Sequence, residues 1–104
     1  MRKIIDRKIY DTQKAIKLCE WTTGEGESDF KFSENALYKT KISKQYFIAG
    51  SGGPMSRWSC SVGTTTTGGE DLVLVTLEEA VYYLEQANVG EDVYKLADIE
   101  IKEA

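Results

Sequence analysis

The chain has 104 residues, 41% of them hydrophobic and 11% aromatic, which is enough for one hydrophobic core but not for two. Its net charge is −4 at pH 7 and it contains no histidine, so the commonest general base and every Ser/His or Cys/His nucleophile pair are missing. We therefore expect a single domain over residues 1–104 that is not an enzyme.

The sequence predicts neither a membrane segment nor a cofactor site. No apolar run approaches the roughly 20 residues of a membrane helix, and the N-terminal "MRKIIDRKIY" is too polar for a secretory signal. Cys19 and Cys60 match no close-spaced metal pattern, and we expect both to be free thiols that fill the core. The expected location is the cytoplasm, with no metal and no cofactor.

The N-terminal segment predicts a hairpin followed by a helix. In "RKIIDRKIYDT" two apolar pairs flank Asp6-Arg7, a pattern typical of two short strands joined by a tight turn. Thr12 can then cap a helix, "QKAIKLCEW", that ends at Gly24. The apolar side of this helix would hold Ala15, Ile16, Cys19 and Trp21. The polar segment "TTGEGESD" is expected to be an exposed loop of raised mobility.

Residues 30–49 have the composition of strands. "ALYKTK" and "QYFIAG" flank a polar turn near Ser43-Lys44, at a spacing that suits an antiparallel hairpin. We expect this hairpin to form the centre of a sheet. The residues predicted for its buried face are Phe30, Phe32, Leu37 and Ile48.

The next stretch, "GSGGPMSRW", is read as a glycine turn between two strands. A phosphate-binding loop would need a Lys-Ser/Thr and a helix after its last glycine, whereas Pro54 and Met55 follow here. Two hypotheses stay open for the turn. It is a partner-contact loop that presents Met55, Arg57 and Trp58, or it is a structural turn in which Trp58 is buried.

Beyond the turn, the pattern predicts two strands separated by a loop. Trp58, Cys60 and Val62 alternate with polar residues, as in a half-buried strand. "GTTTTGGED" is predicted to be a flexible loop, and the apolar run Leu72–Val75 is predicted to be a strand.

Two helices are predicted after this strand. Thr76 and Glu79 match a capping box, which is the strongest local signal in the chain. The helix then ends at 88–90, and "EDVYKLADI" predicts a second helix that buries Val93, Leu96 and Ala97. The apolar stripe predicted for the first helix is Leu77, Ala80, Val81, Leu84 and Ala87, with Glu78, Tyr82 and Glu85 on the opposite side.

These elements predict an α+β fold. Strand patterns cluster between Phe30 and Val75, while the helical patterns lie outside that range. We expect a mostly antiparallel sheet of about four to six strands, with two or three helices packed on one face.

Charge is distributed unevenly along the chain. Met1 to Gly68 contains eleven Lys/Arg and seven Asp/Glu, whereas Gly69 to Ala104 contains two and ten, which gives +4 and −8. An acidic surface of this kind repels nucleic acid and is attracted to a basic groove that holds nucleic acid. Besides Met55, Arg57 and Trp58, the residues predicted to bind a partner are Glu70, Asp71, Glu78, Tyr82, Glu85, Glu91 and Asp92.

Several quoted pieces, in their order, resemble one family. "KIIDRKIYDT", "EWTTGE", "ALYKTK…YFIAGSGGPMSRW" and "GGEDLVLVTLEEAVYYLEQ" are similar to small proteins carried by phages and mobile elements of Gram-positive bacteria, relatives of which include anti-CRISPR proteins. The resemblance covers nearly the whole chain and carries over no catalytic residue. It implies a counter-defence protein in the cytoplasm of a bacterial host, which inhibits a CRISPR effector nuclease by direct binding.

Three alternatives remain open. The chain is an interaction or regulatory module of a mobile element with another host target, a small enzyme that uses carboxylates, or a nucleic-acid binder that uses its basic N-terminal part. We expect a protein partner, no direct contact with nucleic acid and no membrane.

Overall fold

The computed structural model describes residues 1–26 and 30–104, which form eight strands and two helices. Strands β3, β4, β5 and β8 form an antiparallel sheet in that order, while β1 with β2 and β6 with β7 form separate hairpins. In chain order the elements are β1 Arg2–Ile5, β2 Lys8–Asp11, β3 Ile16–Thr23, β4 Ser33–Lys39, β5 Tyr46–Gly52, β6 Cys60–Val62, β7 Thr65–Thr67, β8 Gly69–Val75, α1 Leu77–Ala87 and α2 Glu91–Leu96.

The structure confirms a mostly antiparallel α+β fold. It also confirms the first hairpin, and it confirms that the β4–β5 hairpin lies at the centre of the main sheet. The finer description matches only in part. The main sheet has four strands, the other four strands in the described residues form two hairpins outside it, and two helices are present there.

The main sheet has an apolar cluster on each face. Leu37, Ile48 and Val73 lie in one row across three strands and pack with Ala80 and Leu84 of α1. The alternate side chains of the same strands point to the other face, because successive residues of a strand alternate. There Phe47, Ala49 and Leu72 pack with Tyr10 of β2. The helices therefore cover one face of the sheet, and the first hairpin covers part of the other.

The helix predicted after Thr12 is wrong, because this segment is strand β3. The pairing of β3 with β4 shifts between Lys17 and Cys19, so Leu18 is an extra residue without a cross-strand partner. This bulge changes the alternation, and Ile16, Cys19 and Trp21 all reach the same cluster. Ile16, Cys19 and Trp21 are therefore spaced by three and two residues rather than by two throughout. This irregular spacing resembles the apolar side of a helix, which explains the wrong prediction.

Several expectations about single residues are also corrected. Phe30 is 65% exposed, and its contact with the glycine turn is made by its carbonyl, which accepts from the Met55 N–H. Leu96, the last residue of α2, is 51% exposed, whereas Ala97, which follows it, is buried. Cys60 is exposed and Cys19 half-buried. Thr65–Thr67, predicted to be part of a loop, forms β7. Residues 27–29 of the other predicted loop, "TTGEGESD", and the side chain of Val62 lie outside the described part.

Helix α1 begins at the predicted capping box. The Thr76 hydroxyl accepts from the Glu79 N–H at 3.1 Å, and the Glu79 carboxylate accepts from the Thr76 N–H at 3.1 Å. Asn88 ends the helix in the left-handed conformation, with φ 52°. Ala80 and Leu84 are buried as predicted, whereas Leu77 is 49% exposed and Ala87 is exposed. Neither helix in the described ranges is long and apolar enough to cross a membrane.

The segment after α2 is held against the central hairpin by polar contacts. Lys39, whose side chain is 7% exposed, donates to the Asp98 carboxylate at 2.7 Å, and Lys44 lies 3.7 Å from the same group. The Tyr46 hydroxyl donates to the Ala97 carbonyl. The hydrogen bond from Lys39, together with the charges of Lys39 and Lys44, lowers the pKa of Asp98.

We expect Thr76→Ala to lower the free energy of unfolding by about 1 kcal/mol, because the first turn of α1 loses its side-chain acceptor. Urea titration measures the effect. Thr64→Ala, at an exposed position in the turn between β6 and β7, is the matched control and should leave the midpoint unchanged. Equal midpoints for Thr76→Ala and the unsubstituted chain would contradict the capping role.

We expect Asp98→Asn to destabilise the fold at pH 7 and to have little effect at low pH. A carboxylate with a lowered folded-state pKa stabilises the fold fully above its unfolded pKa of about 4, and this stabilisation is lost as pH falls through the folded pKa. Thermal melts at pH 7, 5 and 3 test this. Glu103→Gln, which removes an exposed carboxylate, is the control. A difference between Asp98→Asn and the unsubstituted chain that persists at pH 3 would rule out the proposed linkage.

Candidate partner-binding site

The glycine turn folds back onto the start of β4 through backbone hydrogen bonds. The Gly53 N–H donates to the Phe32 carbonyl at 2.9 Å, and the Met55 N–H donates to the Phe30 carbonyl at 2.9 Å. Inside the turn, the Ser56 hydroxyl donates to the Gly53 carbonyl at 2.8 Å. These bonds hold residues 53–58 beside the last residues of β3 and the first residues of β4.

Gly50 is required by a close approach rather than by its backbone angles. It does not have a positive φ, but a Cβ at this position would lie 2.5 Å from Nε1 of Trp58 and 2.6 Å from the Glu34 carbonyl. Real Cβ atoms essentially never come this close to other atoms. The indole of Trp58 therefore packs directly against the backbone of β5, where any larger residue would displace it.

Buried polar groups extend from Trp58 across the sheet. Its Nε1 donates to Oδ1 of Asn35 at 2.6 Å, and the Asn35 amide donates to the Ser33 hydroxyl at 2.9 Å. The Ser33 and Thr23 hydroxyls are 2.6 Å apart. Asn35 and Ser33 are 5% and 1% exposed, so these hydrogen bonds replace the water that burial removes.

Trp58 therefore offers a partner almost no surface. Only 5% of it is exposed, and its one polar atom is already paired inside the protein. Of the two hypotheses for the turn, burial supports the structural role of Trp58. Its neighbours differ, because Met55 is 62% exposed and the Arg57 guanidinium lies on the surface, 4.7 Å from the centroid of the Trp58 ring.

The turn and α1 together form a cleft of about 400 Å³, here called the turn–helix cleft. Met55 and Arg57 line it from the turn, and Tyr82 and Tyr83 line it from the helix. The Tyr83 ring stacks on Trp21 of β3 at 4.7 Å, and the Tyr82 ring meets Tyr83 edge-on at 5.4 Å. Three residues that the sequence predicted from two separate stretches, Met55, Arg57 and Tyr82, thus meet at one site.

The predicted acidic residues do not form a single surface. Glu78 and Glu85 are exposed on the same side of α1 as Tyr82, from which they are four and three residues away. Glu91 and Asp92 are exposed in the first turn of α2.

Glu70 and Asp71 lie elsewhere, on β8. Glu70 lines a groove of about 630 Å³ on the sheet face opposite the helices, together with Glu20 and Glu34. Asp71 pairs with Lys3 at 2.8 Å, and the hydrogen bond from Lys3 lowers the pKa of Asp71. Alternation along β8 turns Glu70 away from the helices, so Glu70 lies on a different face of the protein from Glu78 and Glu85.

Sequence reasoning missed four residues of these surfaces. Trp21 was assigned to a helix, and Tyr83 received no role although it follows Tyr82 directly. Glu20 and Glu34 are distant from Glu70 in sequence, and only the strand register brings them into one groove. A signal existed for Tyr83 alone, because it lies three residues from Ala80 and therefore near the buried side of α1.

In comparisons with known proteins, no protein-family model, no curated protein and no solved structure matches this chain. Within residues 1–26 and 30–104, no three Cys, Asp or Glu side chains are grouped so that they could hold a metal ion.

We expect Trp58→Phe to lower the free energy of unfolding by about 1–3 kcal/mol, since the buried Oδ1 of Asn35 loses its donor. Urea titration measures the change. Met55→Ala, in the same turn but exposed, is the control and should shift stability by less than about 0.5 kcal/mol. A Trp58→Phe variant as stable as the unsubstituted chain would show that the indole hydrogen bond contributes nothing.

Proposed function

We propose that this chain is a non-enzymatic inhibitor that binds another protein through the turn–helix cleft and the acidic side of its helices. The observation that carries the proposal is the convergence of Met55, Arg57 and Tyr82 on one cleft. Met, Arg and Tyr are the residue types enriched where protein interfaces bury their energetic centre. Met55 and Tyr82 are 62% and 58% exposed, so their apolar surface is available to a partner.

The acidic residues near this cleft supply long-range attraction. Glu78 and Glu85 flank Tyr82 on α1, and the chain from Gly69 onward carries a net charge of −8. Opposite charges mainly raise the association rate, while close packing at the centre of an interface mainly sets the dissociation rate. The cleft and the acidic helix side therefore have separable roles.

The proposed target is a CRISPR effector nuclease of the bacterial host cytoplasm. This choice follows from the resemblance to phage and mobile-element proteins of Gram-positive bacteria. Such nucleases hold their guide and target duplexes in positively charged channels, which an acidic protein can occupy in place of nucleic acid. The alternative is an interaction or regulatory module of a mobile element that binds another host protein through the same cleft.

Inhibition of target cleavage tests the proposal directly. The chain is added to guide-loaded CRISPR nucleases from Gram-positive bacteria, and cleavage of a matched DNA duplex is followed over time. The proposal expects at least one nuclease to lose activity, and increasing amounts of target DNA to restore it. If every nuclease cleaves normally and affinity capture from host lysate retains an unrelated protein, the alternative function replaces it.

Variants separate the two roles once a partner is found. We expect Glu78→Lys/Glu85→Lys to slow association, with a weaker effect at high salt, because charges are screened over about 10 Å at 0.1 M. Tyr82→Ala should instead speed dissociation about tenfold or more.

The matched control is Glu100→Lys/Glu103→Lys, which changes net charge equally but in the C-terminal tail. Association rates are measured at two salt concentrations after thermal melts confirm folding. Equal slowing by both double variants would show that net charge alone matters, and unchanged rates in all variants would place the interface outside the cleft.

A further inference from the structure

Strand β8 is an edge strand with a regular backbone. Its neighbour in the main sheet is β5, and the register runs without interruption from Tyr46 opposite Val75 to Gly52 opposite Gly69. The other edge strand, β3, contains the bulge at Leu18, a common device that keeps edges from pairing. An edge without such a device, as in the apolar run Leu72–Val75, is a template for another strand.

Side chains occupy both backbone groups of Leu72. Its N–H donates to Oδ1 of Asp71 at 2.7 Å, and its carbonyl accepts from Nζ of Lys3 at 3.3 Å. The same two side chains form an ion pair at 2.8 Å. In an antiparallel sheet both groups of one residue point the same way, and the direction alternates along the strand. The backbone N–H and C=O of Leu72 therefore point outward from the edge of the sheet, as do those of Glu70 and Leu74.

We propose that the Lys3–Asp71 pair is an edge guard, which keeps β8 from pairing antiparallel with β8 of a second copy of this chain. The guard occupies the outward-pointing N–H and C=O of Leu72 on the open edge. It also places a lysine and a carboxylate there, which an incoming strand must displace. In the part of the chain that the structure describes, no loop or side-chain hydrogen bond takes the backbone groups of Leu74.

A second copy is the occupant that the edge fits best. With a two-fold axis at Val73, Leu72 lies opposite Leu74 of the second copy, and Leu74 lies opposite its Leu72. Asp71 then lies opposite Val75, so the carboxylates of the two copies stay at opposite ends and do not repel each other. The apolar side chains pair with each other, and a two-fold contact of this kind closes at two copies.

The open part of the edge is short. A Cβ at Gly69 would lie 2.6 Å from the Trp58 carbonyl, so the segment before β6 already covers the beginning of β8. The remaining edge runs from Asp71 to Val75, the region spanned by the two-fold pairing. Lys3 and Asp71 have side chains that are 41% and 50% exposed, and ion pairs this exposed are weakened by salt.

The test is the oligomeric state of Lys3→Ala/Asp71→Asn, measured by sedimentation over a range of protein concentrations. We expect the unsubstituted chain to be monomeric and this variant to dimerise, with a dissociation constant at least tenfold lower. Lys17→Ala/Glu20→Gln, which removes the exposed ion pair of the bulged edge strand, is the matched control and should stay monomeric. Equal dissociation constants for the guard variant and the unsubstituted chain would overturn the proposal.

Adding Leu74→Pro to the guard variant should restore the monomer. The Leu74 N–H points away from β5, so proline removes a hydrogen bond of the dimer and none of the sheet. A dimer that persists in a folded Leu74→Pro variant would show that β8 is not the interface.

A cysteine cross-link decides the matter if the proline variant does not fold. Val73→Cys in the guard background should form a disulfide between residues 73 of two copies, because a non-hydrogen-bonded pair places their Cα atoms about 4.5 Å apart. Mass spectrometry of the oxidised dimer identifies the bond. A dimer that forms no such disulfide on oxidation would overturn the proposed pairing.

Discussion

The burial of Trp58 against the bare backbone of Gly50 is the constraint on which the turn–helix cleft depends. The indole lies within reach of β5 only because Gly50 has no side chain. Its N–H must then find an acceptor inside the protein, and Asn35 of β4 provides one. With the ring in this position, Met55 and Arg57 project beside α1 and complete the turn–helix cleft.

The same constraint explains the buried polar residues of the main sheet. Asn35 and Ser33 belong to the central strand β4, where apolar residues would be the ordinary choice. They are tolerated because Trp58, Asn35, Ser33 and Thr23 satisfy one another in a continuous network. A network of this kind penalises alternative positions of the turn, since each would leave a buried polar group without a partner. These hydrogen bonds therefore hold the turn in one position beside the cleft.

The two edges of the main sheet are protected in different ways, and this difference has consequences for association. In β3 the protection lies within the strand, as the bulge at Leu18. In β8 it comes from the first hairpin, because Lys3 reaches across to Asp71 and Leu72. Exposed ion pairs stabilise weakly, so the protection of β8 depends on salt and on the position of that hairpin.

The sequence by itself determined the elements whose signals are local. The capping box at Thr76, the apolar run Leu72–Val75, the first hairpin and the central hairpin are all where the pattern placed them, because caps, turns and alternation act between residues close in the chain. The tertiary structure alone decided that residues 16–23 form a strand, since a bulge there imitates helical spacing until β4 provides a pairing partner. The tertiary structure alone also decided that Trp58 is buried, that Met55 and Arg57 line one cleft with Tyr82, and that Glu70 lies on the face away from the helices. Those outcomes depend on strand register and on contacts between distant residues, which no local pattern specifies.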